Sequence, residues 1–149
     1  MKVLILIVIL TAGASCGRQF HFSSADETTQ DSSYVYALPY PPGTSRLVVQ
    51  GYRSGFSHKN RLALDFKMKK GSPITAARDG VVVRVEEGYK KGGTSKKYLG
   101  KANVVVIRHE DGSQAMYAHL QYNGALVNVG DTVKRGQLIA RSGSTGYSA

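Results

Sequence analysis

The chain has 149 residues, 42% of them hydrophobic and 17 of them glycine. That length suits one compact domain and excludes a large multidomain enzyme. Twenty Lys and Arg against ten Asp and Glu give a formal charge of +10, so anionic partners are favoured, whether nucleic acid, acidic lipid or anionic wall polymer. Cys16 is the single cysteine, which rules out an intrachain disulfide and an all-thiolate zinc site. A metal site here must be built from His and carboxylate.

Lys2 is followed by the apolar run VLILIVIL from Val3 to Leu10 and then by TAGAS. A charged start, an apolar core and a small-residue exit make an export signal, and the run is short for a bilayer span. Two processing sites compete. Ala12-Gly13-Ala14 matches ordinary signal peptidase, whereas Gly13-Ala14-Ser15-Cys16 is close to a bacterial lipobox in which lipidation of Cys16 would anchor the protein to a membrane. The lone thiol favours the lipobox. Export to the periplasm or cell envelope sets nucleic acid aside as a partner.

Residues 17–33 are polar, rich in Ser and Thr, and without periodicity, so they read as a tether between a signal over 1–16 and a folded domain over 34–149. Short β-rich runs follow: RLVVQGY, LALDFKM, PITAA, GVVVRVEEG, ANVVVIRHE, SQAMYAHL, ALVNVG and QLIARSG. Gly, Pro, Asn and Asp separate them, and no helical repeat is sustained. The expected fold is all-β, a mostly antiparallel sandwich or flattened barrel. Within GVVVRVEE the alternation assigns Val81, Val83 and Val85 to the core. VVVIRH suits a central strand covered on both faces, with residues 110–113 turning into SQAMYAHL. The intervening YKKGGTSKKYLGK carries five lysines. It reads as a solvated hairpin tip or as a mobile groove wall that attracts an anionic polymer.

Four histidines are available. His21 lies in the tether. His109 precedes the acidic turn, where a partly exposed structural role is expected. His58 sits in the loop GYRSGFSHKN, which leads into LALDFKM with Asp65 among apolar residues. A buried carboxylate needs a strong partner, and a Zn²⁺ shared with His58 would be one; backbone N–H donors would be another. His119, at the end of AMYAHL, could point into a groove as a base or transition-state donor, or be a core histidine.

GYRSGFSHKNRLALDF, GSPITAARDGVVVRV, ANVVVIRHEDGSQAMYAHL and LVNVGDTVKRGQLIARSGSTGYS together resemble the lysostaphin-like (M23) zinc metalloendopeptidases, which cut peptides of bacterial peptidoglycan. The resemblance runs from about Gly51 to the last residue and is most specific in YAHL, GDTVKRGQLIA and GSTGYS. It implies Zn²⁺ as cofactor, His58 and Asp65 as its first two ligands, and His119 as the catalytic histidine that is not a ligand. The implied substrate is a peptidoglycan stem or cross-link peptide.

Two departures accompany it. The family's usual H-x-x-x-D spacing is here His58 and Asp65 with six residues between them. The family also continues past G-x-T-G-x-S into a strand bearing H-x-H, which supplies the third metal ligand. The sequence stops at Ala149, so that ligand is missing and an unpaired strand edge is expected. Three readings follow: a zinc endopeptidase of the cell wall; an inactive M23-like module that binds peptidoglycan or regulates an amidase; and a biotinyl-type carrier suggested by GDTVKRGQLIA. The carrier is disfavoured because no M-K-M or D-K-A site is present.

Overall fold

A computed structural model describes residues 3–10, 34–51 and 62–148. The tether, Cys16, His21 and His58 lie outside the described residues. Among the described residues the chain is built from strands, apart from one 3-10 turn at Lys96–Tyr98. The strands are β1 (Val3–Leu10), β2 (Leu47–Gln50), β3 (Ala63–Met68), β4 (Pro73–Thr75), β5 (Gly80–Glu86), β6 (Gly92–Gly93), β7 (Val104–Arg108), β8 (Gln114–Tyr117), β9 (Leu120–Ala125), β10 (Thr132–Val133), β11 (Leu138–Ser142) and β12 (Gly146–Tyr147). A seven-stranded sheet runs β10-β5-β7-β8-β1-β3-β2, beside a three-stranded sheet β4-β11-β9. Every pairing in both is antiparallel. The small β12-β6 pair is parallel. The expected all-β architecture is therefore the observed one.

The main core lies between the large and the three-stranded sheets. Phe66, Val82, Val105, Ile107 and Tyr117 from the first meet Ile74, Leu120, Ile139 and Ala140 from the second region. On the other face of the large sheet a smaller cluster gathers Val104, Val106 and Ala118 with Val83 and Met116. Strand β7 thus contributes to both clusters, as its unbroken apolar run requires. The turn expected at 110–113 is present: the His109 N–H donates to Ser113 O at 2.8 Å and the Gly112 N–H to His109 O at 3.0 Å. Gly112 sits at φ 81, a conformation that glycine takes without a Cβ penalty.

Two expectations are corrected. Val81 is exposed, whereas Val82 and Val85 pack on the main core and Val83 on the smaller cluster. A register shift between Val82 and Arg84 against β7 reverses the inward phase partway along β5. The Val82 N–H and carbonyl bond instead to Asp131 O and the Gly130 N–H, both at distances under 3 Å (2.9 and 2.8 Å). The run ALVNVG is not a strand: β9 ends at Ala125, and the segment that follows turns through Gly130 at φ 97. Its Leu126 and Val129 are exposed.

In the large sheet β1 pairs with β3 on one side and with β8 on the other. The apolar run read as the core of an export signal forms this eight-residue strand. Its register sets Leu6 opposite Asp65 and Ile7 opposite Tyr117.

Candidate metal and catalytic site

Asp65 lies in the middle of β3 and is 1% exposed. Leu64, Phe66 and Met68 pack with the main core. Asp65 departs from their alternation toward the other face, where the Val104–Val106–Ala118 cluster lies. Burial pushes its carboxyl up from the ordinary 3.8 to about 7, because desolvation penalises the charged form. A cation held there would offset that penalty, so the chemistry of Asp65 fits a metal ligand.

His119 follows Ala118 two residues beyond the end of β8. Its backbone is at φ 57, in the left-handed region that non-glycine residues seldom adopt and that is often a feature of functional sites. Its imidazole is 9% exposed, and Nδ1 lies 2.7 Å from the carbonyl oxygen of Thr145. A carbonyl can only accept, so Nδ1 carries the proton and Nε2 keeps its lone pair. Burial lowers the imidazole's pKa, with the Thr145 bond opposing that shift. The neutral form, with Nε2 basic, is the form held.

A polar network fixes this geometry. The Thr145 hydroxyl donates to Leu120 O at 2.7 Å and accepts from the Asn103 N–H at 3.0 Å. The Asn103 side-chain amide donates to Gln121 O at 3.1 Å and to Tyr89 O at 2.8 Å, while its Oδ1 accepts from the Tyr89 N–H at 2.9 Å. The Gly143 N–H donates to His119 O at 2.9 Å. A Cβ on Gly143 would collide with the Leu120 carbonyl group and Gln121 N, so only glycine permits the approach. Sequence reasoning did not assign roles to Asn103, Thr145 or Gly143. GSTGYS had marked the loop, but the partners of its polar side chains lie far away in sequence.

Asp65 and Tyr117 are separated by one intervening strand, β1, with their rows offset by one residue. Two strand spacings amount to about 10 Å, so the fold brings the Asp65 strand and the approach to His119 to neighbouring positions in one sheet. Among the described residues no group of three His, Cys, Asp or Glu side chains is gathered to hold a metal. His58 is outside those residues.

His109 is elsewhere. It is 3% exposed rather than partly exposed. Its Nδ1–H donates to Asp79 O at 2.7 Å and its ring meets Tyr36 edge-on. Beside it, Arg78 pairs with Asp111 at 2.6 Å and lies over the ring of Tyr34. This cluster fastens residues 34–37 to the domain and is structural.

The described residues thus form an antiparallel β-sheet domain with Asp65 buried on one strand and His119 just beyond the end of another. The model of Peptidase family M23 matches residues 59–149, and the chain belongs to that family. A glycyl-glycine endopeptidase of Staphylococcus capitis is 37% identical over 98 residues, covering 65% of this chain and 24% of that protein. A murein hydrolase activator of Salmonella typhimurium is 31% identical over 122 residues, covering 82% of this chain and 28% of its own length. Among solved structures, a zinc-containing peptidase from Vibrio cholerae superposes with a TM-score of 0.54 at 27% identity, over 76% of this chain and 33% of that one. The chain therefore spans about a quarter of the length of these two sequence relatives.

Proposed function

We propose that the domain is a zinc endopeptidase acting on stem or cross-link peptides of bacterial peptidoglycan. The observation that carries this reading is the His119 site: a left-handed, buried imidazole held by Thr145 O in the tautomer that leaves Nε2 basic, in a chain of the M23 family. Asp65, with His58 from the preceding loop, would hold the Zn²⁺. When bound, zinc supplies Lewis acidity toward a peptide carbonyl and toward an attacking water.

His119 does the remaining work. Nε2 accepts a proton from the attacking water or, once protonated, steadies the oxyanion and passes the proton to the leaving amine. The resulting imidazolium keeps its Nδ1–H bond to Thr145 O, so the ring need not reorient between steps. Asn103 and Thr145 position it without touching substrate.

A second reading has its own support. The relative covering the largest share of this chain among those described above is named a murein hydrolase activator. In that reading the domain binds peptidoglycan or regulates an amidase without cutting.

The test is digestion of purified peptidoglycan by the full-length protein, with released peptides identified by mass spectrometry. New amino termini that vanish in His119→Ala are expected. Tight binding without cleavage by the parent protein would favour the activator.

Export and lipidation at Cys16 belong to the same proposal. No helix among the described residues is long and apolar enough to cross a membrane. Removal of a leader ending before Cys16 would take β1 out of the sheet and leave β3 and β8 flanking a gap one strand wide. The intact mass of the envelope-extracted protein reports whether cleavage and acylation occur.

A further inference from the structure

The segment between β5 and β7 is pinned, not a free hairpin tip. Asn103 bonds both the N–H and the carbonyl of Tyr89, and β6 pairs in parallel with β12. Gly92 lies so close to the Ser144 carbonyl that a Cβ would not fit. The same stretch that contributes β12 also contributes Thr145, whose carbonyl orients His119. The wall and the histidine are therefore parts of one hydrogen-bonded unit.

That wall encloses an open cavity of about 320 Å³ lined by Tyr89, Tyr98, Lys90, Lys91, Lys97 and Lys101, with Gly88 at its rim. The four lysines are exposed and the two tyrosines half-buried. No acidic side chain lines it. The glutamates that precede it are engaged with backbone: Glu87 accepts from the Ala125 N–H at 3.3 Å, and Glu86 from the Gly88 N–H at 3.5 Å. Lys90 Nζ stands 4.7 Å from the Tyr122 ring centroid and Lys97 Nζ 5.1 Å from that of Tyr98. Tyr98 steadies the Lys97 ammonium at the cavity wall, and Tyr122, outside the lining, steadies that of Lys90. Four cations around a concave surface focus positive potential there.

We propose that this cavity is an anion subsite for free carboxylates of the peptide stem whose scissile bond lies at His119. The inference rests on the function proposed above and assigns Lys90, Lys91, Lys97 and Lys101 to substrate selection. A carboxylate-bearing peptide matches the site better than a neutral one because it meets several ammonium donors, while Tyr89 and Tyr98 supply contact area for its backbone and aliphatic parts. The interaction is solvent-exposed, so it weakens with salt over a screening length of about 8 Å at physiological ionic strength.

The experiment uses the full-length His119→Ala protein for binding and the unmodified catalytic centre for turnover. The probes are a synthetic stem peptide with free carboxylates, the same peptide with those carboxylates amidated, and a glycerol phosphate polymer. Lys90→Gln combined with Lys97→Gln should weaken binding of the free-carboxylate peptide about fivefold, the size expected for two exposed ion pairs. Binding of the amidated peptide should stay unchanged. A control pair, Lys134→Gln with Arg135→Gln on the β10–β11 turn, removes the same charge and should leave both affinities as they were. Equal loss in the control pair, equal affinity for both peptides, or lysine-dependent binding of the phosphate polymer alone would overturn the subsite. Turnover separates the two proposals. Cleavage by the parent that ignores both amidation and the lysines refutes the subsite and leaves the peptidase standing; preserved carboxylate selectivity in binding without any cleavage refutes the peptidase.

Discussion

The two halves of the candidate site are built on different principles. Around His119 the chain supplies its own order: Thr145, Asn103 and the Gly143 N–H satisfy the backbone groups beside the imidazole and fix its tautomer. Asp65 is instead a carboxylate sunk into a strand, where burial raises its pKa to about 7. The first half is preorganised by hydrogen bonds. The second, in the function proposed above, would gain a charge partner when a cation binds. A hydrolytic site needs both properties: a proton carrier that does not wander and a charged ligand with reason to bind metal.

The sharpest way to break this contrast is at His119 itself. His119→Ala should reduce peptide hydrolysis by about 10²–10⁴-fold, the range for loss of a general acid–base, while the folded state and zinc affinity persist. Parallel measurements of turnover and bound zinc distinguish this from loss of the metal.

The next effect should come from the network. Asn103→Ala leaves Tyr89 and Gln121 backbone groups without their side-chain partner and should cost about 2–4 kcal/mol in denaturant unfolding, as expected for stranded buried polar groups. Gly143→Ala forces a Cβ onto the Leu120 carbonyl group and Gln121 N. It should move His119, with activity falling even where the fold survives.

The Asp65 half predicts an unusual pH dependence. Because its folded pKa is raised to about 7 from 3.8, the native metal-free protein binds more protons at this group than the unfolded chain does across that interval. Asp65 should therefore make the metal-free protein less stable as pH rises from about 4 to 7. Asp65→Asn should flatten that part of the profile in thermal melts.

A smaller effect with the opposite sign is expected from His109, whose pKa burial depresses. Below the ordinary histidine value of about 6.5 the unfolded chain takes up the proton first, so this contribution to stability is lost as pH falls. His109→Gln, which removes the titration, should reduce that acid sensitivity without affecting hydrolysis.

Much of the fold was legible because its strands carry side-chain patterns: the continuous apolar VVVIR of β7 and the turn after it could be read directly. What escaped notice lacked such a pattern. Val81 and Val82 exchange roles through a bulge, which alternation alone does not signal. The pairs Gly92–Gly93 and Gly146–Tyr147 are strands through backbone proximity, with few side chains to announce them. Asp65 stood out as a charge inside an apolar run and His119 through its motif. Asn103 and Thr145 did not, since a polar residue beside an apolar strand resembles an ordinary strand end until its distant partners are placed.

The central claim, that Asp65 binds a divalent metal beside a histidine already set for proton transfer, is tested most directly by titrating zinc into metal-free full-length protein in a calorimeter. The account predicts stoichiometric binding near one zinc per chain, lost in Asp65→Asn and retained in His119→Ala. Equal zinc affinity in the parent and Asp65→Asn proteins would contradict it.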